Sequence, residues 1–225
     1  MNKYKSRWVR GCWVCAMLTL LAPGAPLVRA EVTPTQVVGE LLDKVKQIKK
    51  ADASKNITLN AEEQKQNASL SRQVNKILDI EGISAFALQD QWSKRSADER
   101  RAFVNLFTSL LEKVAYTNTA KFMKDLTASI NQEKIVGDKA MVYTSVMHQK
   151  EGRVDIDFKL RKAAGGWLVE DVQLDGVSLV RNLRTQCNKI VRENSFQELL
   201  RRMKRKLDGD EDTDKDLEDI TERRS

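Results

Sequence analysis

Arg153-Val154-Asp155-Ile156-Asp157-Phe158-Lys159-Leu160 decides the class of fold. Val154, Ile156, Phe158 and Leu160 alternate with Arg153, Asp155, Asp157 and Lys159, so an extended chain here has one apolar face and one charged face. That pattern predicts a half-buried antiparallel strand, because a strand buried on both faces would not tolerate the charged set. Upstream, the period changes from about Gln132, and Ala140 to His148 is rich in β-formers on both faces. Downstream, Gly165-Gly166 turns the chain into Trp167 to Leu174, which predicts a hairpin.

Helical periodicity flanks this sheet on both sides. Thr33-Pro34-Thr35-Gln36 reads as a capping box with proline at the first helical position, and Val38, Leu41, Val45 and Ile48 follow at helical spacing. After a polar break around Asp52 to Asn56, Asn60 with Glu63 marks a second helix start, carrying Leu70, Val74, Ile77 and Leu78. Gly82 is expected to interrupt that helix before a shorter apolar segment with Ile83, Phe86, Ala87 and Leu88. Ser96-Ala97-Asp98-Glu99 is a third capping box, and Phe103, Phe107, Leu110 and Val114 form one stripe behind it. Beyond the sheet, Val180, Leu183, Cys187 and Ile190 make one helical stripe, and Phe196, Leu199, Leu200 and Met203 another. The class that follows is α+β, with helices packed on one face of a curved antiparallel sheet.

The charge balance narrows the function classes. The 225 residues hold 39 Lys+Arg against 32 Asp+Glu, a formal +7 that by itself suggests nucleic acid. Yet Lys3, Lys5, Arg7, Arg10 and Arg29 lie in the first thirty residues, where there is no acid. That segment reads as a secretory signal: a basic stretch, an apolar run from Gly11 to about Leu21, and a small-residue site ending Val28-Arg29-Ala30. The expected domains are therefore residues 1–30 as a cleaved signal peptide, residues 31–207 as one α+β domain, and residues 208–225 as an acidic, disordered tail. Without the signal the count is 34 bases to 32 acids. Secretion makes nucleic acid the weakest choice of partner. Cys12 and Cys15 leave with the signal, so Cys187 is alone and is expected to be a small buried apolar residue.

Little in the chain points to catalysis. His148 is the single histidine, which excludes His-rich metal sites and leaves any His-dependent triad hanging on one residue. Asp155 and Asp157 share a strand face but alternate with Arg153 and Lys159, so ion pairs at a wet surface explain them better than paired-carboxylate hydrolysis. In the tail, aspartates recur at the spacing of calcium-loop ligands, but Thr213 stands where the turn glycine belongs and no apolar helix follows. No catalytic residue, metal site or cofactor is expected. A basic docking surface is: Arg181, Arg184, Lys189 and Arg192 on one helix and Arg201, Arg202, Lys204, Arg205 and Lys206 on the next, against Glu193 and Glu198. Such a patch suits lipid phosphates or an acidic partner.

Two stretches carry a family resemblance. The first is Phe86 to Tyr116, with Trp92, Ser96-Ala97-Asp98-Glu99-Arg100, Phe103, Phe107, Leu110, Leu111 and Tyr116. The second joins Val154-Asp155-Ile156-Asp157-Phe158 to Gly166-Trp167, Asp171-Val172 and Gly176-Val177-Ser178-Leu179-Val180, ending in Phe196 to Leu200. Together they resemble the toluene-tolerance family, the MlaC-like periplasmic lipid-binding proteins. The likeness covers most of residues 75–207.

The resemblance implies a periplasmic, monomeric carrier that holds phospholipid acyl chains in an apolar cavity between sheet and helices. It implies exchange with an inner-membrane ABC transporter complex and an outer-membrane lipoprotein/porin complex, without enzymatic chemistry. Apolar position and family likeness together nominate the cavity lining. From the helices come Phe86, Leu88, Trp92, Phe103, Phe107 and Leu110; from the sheet come Tyr143, Phe158, Trp167 and Val172; Val177 and Leu179 join them, and the Val177-Ser178-Leu179 turn would form a rim. Two other readings stand beside it: a carrier of another apolar cargo, such as a hopanoid or a solvent-like molecule, and a periplasmic adaptor with a filled core that docks through its basic helices.

Overall fold

The computed structural model describes residues 31–51, 58–124, 126–148 and 152–209. The expected signal peptide, the polar break at 52–56 and the tail beyond Gly209 lie outside the described residues. Element order is α1 (Pro34–Gln47), α2 (Ala61–Asn75), α3 (Ile80–Leu88), α4 (Asp90–Ser93), α5 (Ala97–Leu110), a π-helical turn (Leu111–Ala115) and α6 (Tyr116–Met123). The sheet follows as β1 (Ala128–Val136), β2 (Lys139–His148), β3 (Gly152–Ala163), β4 (Gly166–Leu174) and β5 (Val177–Ser178), then α7 (Leu179–Glu193) and α8 (Phe196–Asp208).

The five strands lie in sequence order, each antiparallel to the next. On β3 the alternation places Ile156, Phe158 and Leu160 inward, opposite Thr144, Val142 and Ala140 of β2. The fold is the α+β arrangement that the strand pattern predicts. β1 begins at Ala128, earlier than the change of period at Gln132, because most of its residues are exposed and its pattern has no apolar alternation to read.

All three capping boxes form. Thr33, Asn60 and Ser96 each accept the N–H of the residue three positions on, while the Gln36, Glu63 and Glu99 side chains reach back to the cap N–H. The break after α2 is not at Gly82. It falls at residues 76–79, where Ile77 and Asp79 exchange backbone hydrogen bonds with Val169 at the edge of β4. Asp79 then caps α3, and Gly82 sits inside its first turn.

Two apolar layers result. In the first, the inner face of β2, β3 and β4 meets α1, α2 and α6, with Val38, Val74, Met123, Val142 and Leu160 almost fully buried. In the second, α3, α5, α7 and α8 pack on one another around Leu88, Phe103, Phe107, Cys187, Phe196 and Leu199. Each fully buried side chain of this size stabilises by about 1.5–3 kcal/mol, so neither layer is incidental to the fold. Burial pushes the Cys187 thiol up to about 12, which keeps it neutral. Since the thiolate is the nucleophile and a free cysteine titrates near pH ~8.5, alkylation of Cys187 is expected to be at least about tenfold slower in the native chain than in urea. Peptide mass spectrometry of iodoacetamide-treated protein reads this directly, and equal rates would mean that the helix layer opens readily.

Candidate functional site

The two layers are joined by a single helical run, residues 97–123. Its α5 half sends Phe103, Phe107 and Leu110 into the helix layer, whereas its α6 half sends Tyr116, Ala120 and Met123 into the sheet layer. Leu111 packs against both. The π turn makes this possible: its extra residue re-phases the helix, so a stripe advancing by three and four residues takes one step of five from Leu111 to Tyr116. The seam is polar at one point. Tyr116 donates its hydroxyl to Asn75 Oδ1 at 2.7 Å, and Asn75 donates to Glu112 Oε1 at 2.7 Å. Burial, and then the Glu112 charge, raise the Tyr116 pKa, so its hydroxyl remains a donor.

On the far side of the sheet the layers border a cleft of about 330 Å³, at the low end of the roughly 300–1,000 Å³ usual for ligand pockets. One wall is apolar: Ile83 and Phe86 of α3 and Val180 of α7. The other is charged: Lys159 of β3 with Glu170 and Asp171 of β4. A bulge explains why two successive β4 residues face the cleft, since Lys159 pairs with Asp171 but Leu160 pairs with Val169, leaving Glu170 extra. The same bulge returns Val172 to the inner layer, against strict alternation.

The cleft's polar groups are largely bound to one another. Asp79 holds Arg161 through both carboxylate oxygens, one contact being 2.8 Å from Arg161 Nη2 to Oδ1. Arg161, more than any other neighbour, keeps the Asp79 carboxyl below its ordinary range, outweighing the opposing effect of burial. Asp171 accepts from the Ser178 hydroxyl at 2.7 Å and from the Val180 N–H at 3.2 Å, and Ser178 Oγ in turn accepts the Arg181 N–H at 3.1 Å, capping α7. Glu170 pairs with Lys139 at 2.8 Å. Arg181 sits exposed at the mouth, and Arg184 stacks on Phe86 with its guanidinium carbon 4.9 Å from the ring centroid.

The structure does not gather the nominated lining in one place. Leu88, Phe103 and Phe107 are buried in the helix layer, with Trp92 and Leu110 packed at its margin. Phe158 and Trp167 are buried in the sheet layer, and Val172 packs against it. Tyr143 is paired with Asp157, on the charged side of the sheet. Phe86, Val177 and Leu179 are exposed at 44%, 46% and 43%. Among the nominated docking residues, Arg181, Lys189, Arg192, Arg201 and Lys204 are exposed, while Arg184, Arg202, Arg205 and Lys206 are half-buried. Arg201 and Arg202 both hold Glu198, which lowers its carboxyl to about 2. Among the described residues no group of His, Cys, Asp and Glu is placed to hold a metal ion.

Sequence reasoning did not single out Asp79, Gly82 or Asp171 as cleft residues, whereas Ser178, in the turn expected to form the rim, does line the cleft. The Asp79–Arg161 pair spans 82 positions, a separation that no local pattern reports. The Asp175-Gly176 turn was not read either, although its Asp-Gly pair is a local hairpin signal: both residues have positive φ, at 45° and 81°, as a tight hairpin between β4 and β5 requires.

Comparison with known proteins places this architecture. The family model described as MlaC protein matches residues 38–205. The chain belongs to the MlaC family. No curated protein matches the sequence. A solved structure of a phospholipid-binding protein from Ralstonia solanacearum, in complex with a phospholipid, shares the fold of this MlaC-family chain with a TM-score of 0.63 at 17% identity. The match covers 80% of this chain and 98% of that one. The helix layer, the cleft and every buried residue of the sheet layer except Val37 lie within the residues that the MlaC model spans. No helix among the described residues is long and apolar enough to cross a membrane.

Proposed function

We propose that this chain is a periplasmic phospholipid carrier that exchanges its cargo with an inner-membrane ABC transporter complex and an outer-membrane lipoprotein/porin complex. Membership of the MlaC family over residues 38–205 is the observation that carries the reading, and the phospholipid held by a protein of the same fold supports it. Transfer needs no catalysis. At about 0.8 kcal/mol per buried methylene, one chain of about sixteen carbons gains roughly 12 kcal/mol on leaving water for an apolar site.

In this reading the acyl chains enter along the seam between the layers. Phe103, Phe107, Leu110 and Leu88 would supply the helix wall, and Phe158, Trp167 and Val172 the sheet wall. The π turn suits the step, because a helix already re-phased at Leu111 is the natural place for one layer to move against the other. The head group stays outside the seam and wet, with Val177 and Leu179 at the rim. Delivery to the periplasm follows from removal of residues 1–30 after Ala30.

Organic extraction of the chain, purified from the periplasm and analysed by mass spectrometry, tests the proposal. Diacyl phospholipid in near-stoichiometric yield is the expected result. A different lipid would replace the cargo, and lipid-free protein from a lipid-replete periplasm would leave a filled-core adaptor.

A further inference from the structure

The strongest feature that the carrier reading leaves unused is the charged side of α7 and α8. Over Leu179–Asp208 nine bases stand against Glu193, Glu198 and Asp208. On α7, Arg181, Arg184, Lys189 and Arg192 fall within one stripe at helical spacing, opposite the side chains of Leu183, Cys187 and Ile190 that face the helix layer. Arg181, Lys189 and Arg192 are exposed, and the ion pair within reach of this stripe is Arg192–Glu193 at 3.9 Å, itself at the surface. A surface pair of that length is weak, so it leaves the stripe strongly positive.

A second observation lies at the N-terminal end of the stripe. Leu174 and Val177 face each other across the Asp175-Gly176 turn, and Leu179 opens α7 two residues later. All three are exposed, at 38%, 46% and 43%. The acids beside them are engaged rather than free: Asp175, itself exposed, accepts the Asp155 N–H at 2.9 Å, the exposed Asp155 carboxylate pairs with Arg153 at 2.8 Å, and Asp171 is held by Ser178 and the Val180 N–H. The surface therefore offers apolar side chains at one end of a basic helix stripe. A soluble acidic partner would complement the charge alone. A bilayer rich in anionic lipid complements both, with head groups for the stripe and the acyl boundary for the apolar tip.

We propose that the β4–β5 turn and the outward stripe of α7 form a docking surface for anionic lipid bilayers, seating the protein at the membrane with Leu174, Val177 and Leu179 toward the acyl boundary. This goes beyond the carrier reading and does not depend on it, because a lipid-free adaptor would dock by the same surface.

Co-sedimentation of the protein with vesicles tests it. Binding is expected to phosphatidylglycerol–phosphatidylcholine vesicles at low salt, on the order of tenfold weaker to phosphatidylcholine alone, and to fall by a similar factor at high salt, as screening of surface charges requires. The triple variant Arg181→Glu, Lys189→Glu and Arg192→Glu should lose at least tenfold on the anionic vesicles, with its circular dichroism unchanged. Lys65→Glu, Lys121→Glu and Lys134→Glu together change net charge equally at exposed positions on α2, α6 and β1, and should leave binding within about twofold. Equal binding to both vesicle types, no vesicle binding at all, or an equal loss in the two triple variants would overturn the proposal. So would retention on immobilised polyglutamate without vesicle binding, which would make the partner an acidic protein. If the first triple variant fails to fold, the salt and lipid dependence of the unaltered chain decides the matter. Extracted lipid content reports separately on the carrier reading.

Discussion

Phe103→Ala is expected to destabilise the folded chain by about 3–5 kcal/mol, measured as a lower urea midpoint at an unchanged slope. Phe103 has no exposed surface, its ring lies 6.3 Å from that of Phe107, and both belong to the layer whose buried residues all come from α3, α5, α7 and α8. Removing the ring therefore costs its transfer free energy and leaves a void that four helices must relax to fill. Against a total stability on the order of 5–15 kcal/mol, that loss is large enough to be seen as reduced yield at growth temperature. Phe86→Ala is the comparison. Phe86 is 44% exposed and stacks mainly on Arg184, so its removal should cost less than about 1 kcal/mol. Similar losses at the two positions would mean that the helix layer is not the packed unit described above.

How much the sequence disclosed follows from the range of the interactions involved. Capping boxes and strand alternation are local, so Thr33, Asn60, Ser96 and the Val154–Leu160 pattern led directly to helix starts and to β3. Two single-residue insertions were not local in that sense. The π turn broke the stripe predicted to run through Val114, moving burial to Tyr116, Ala120 and Met123, because a fixed period cannot contain a step of five. The β4 bulge did the same on a period of two, turning Glu170 and Asp171 together into the cleft. The nominated lining divides between two layers for a related reason: apolar periodicity shows that a face is buried and is silent about which neighbour buries it. Phe103 and Phe158 carry the same signal and lie in different layers. What bound the layers at the cleft was Asp79 with Arg161, a pairing made only by the tertiary fold.

That pairing makes Gly82→Ala a test with an inverted sign. In an ordinary helix interior, alanine is better than glycine by about 0.5–1 kcal/mol, and the helical backbone of Gly82 poses no obstacle to a side chain. Space does, because a Cβ there would come within 2.6 Å of Asp79 Cγ. The Asp79 carboxylate would have to swing off, giving up both the Gly82 N–H at 3.2 Å and the Arg161 guanidinium. A lost helix cap costs about 0.5–2 kcal/mol, and a hydrogen bond to a charged group about 1.5–3; the second figure shrinks here because Arg161 is 35% exposed. After the propensity gain, a net loss of about 1–3 kcal/mol remains. The pH dependence identifies its source. Arg161 holds the folded Asp79 pKa below its unfolded value near ~3.9, so the pair's stabilisation is complete above that value and fades as pH falls through the lower folded pKa. The gap between wild type and Gly82→Ala should then narrow in melts run progressively below about pH 4. A gap that stays constant with pH would place the cost in steric crowding alone, and a variant more stable than wild type at neutral pH would show that Asp79 is not held where the helix and sheet layers meet.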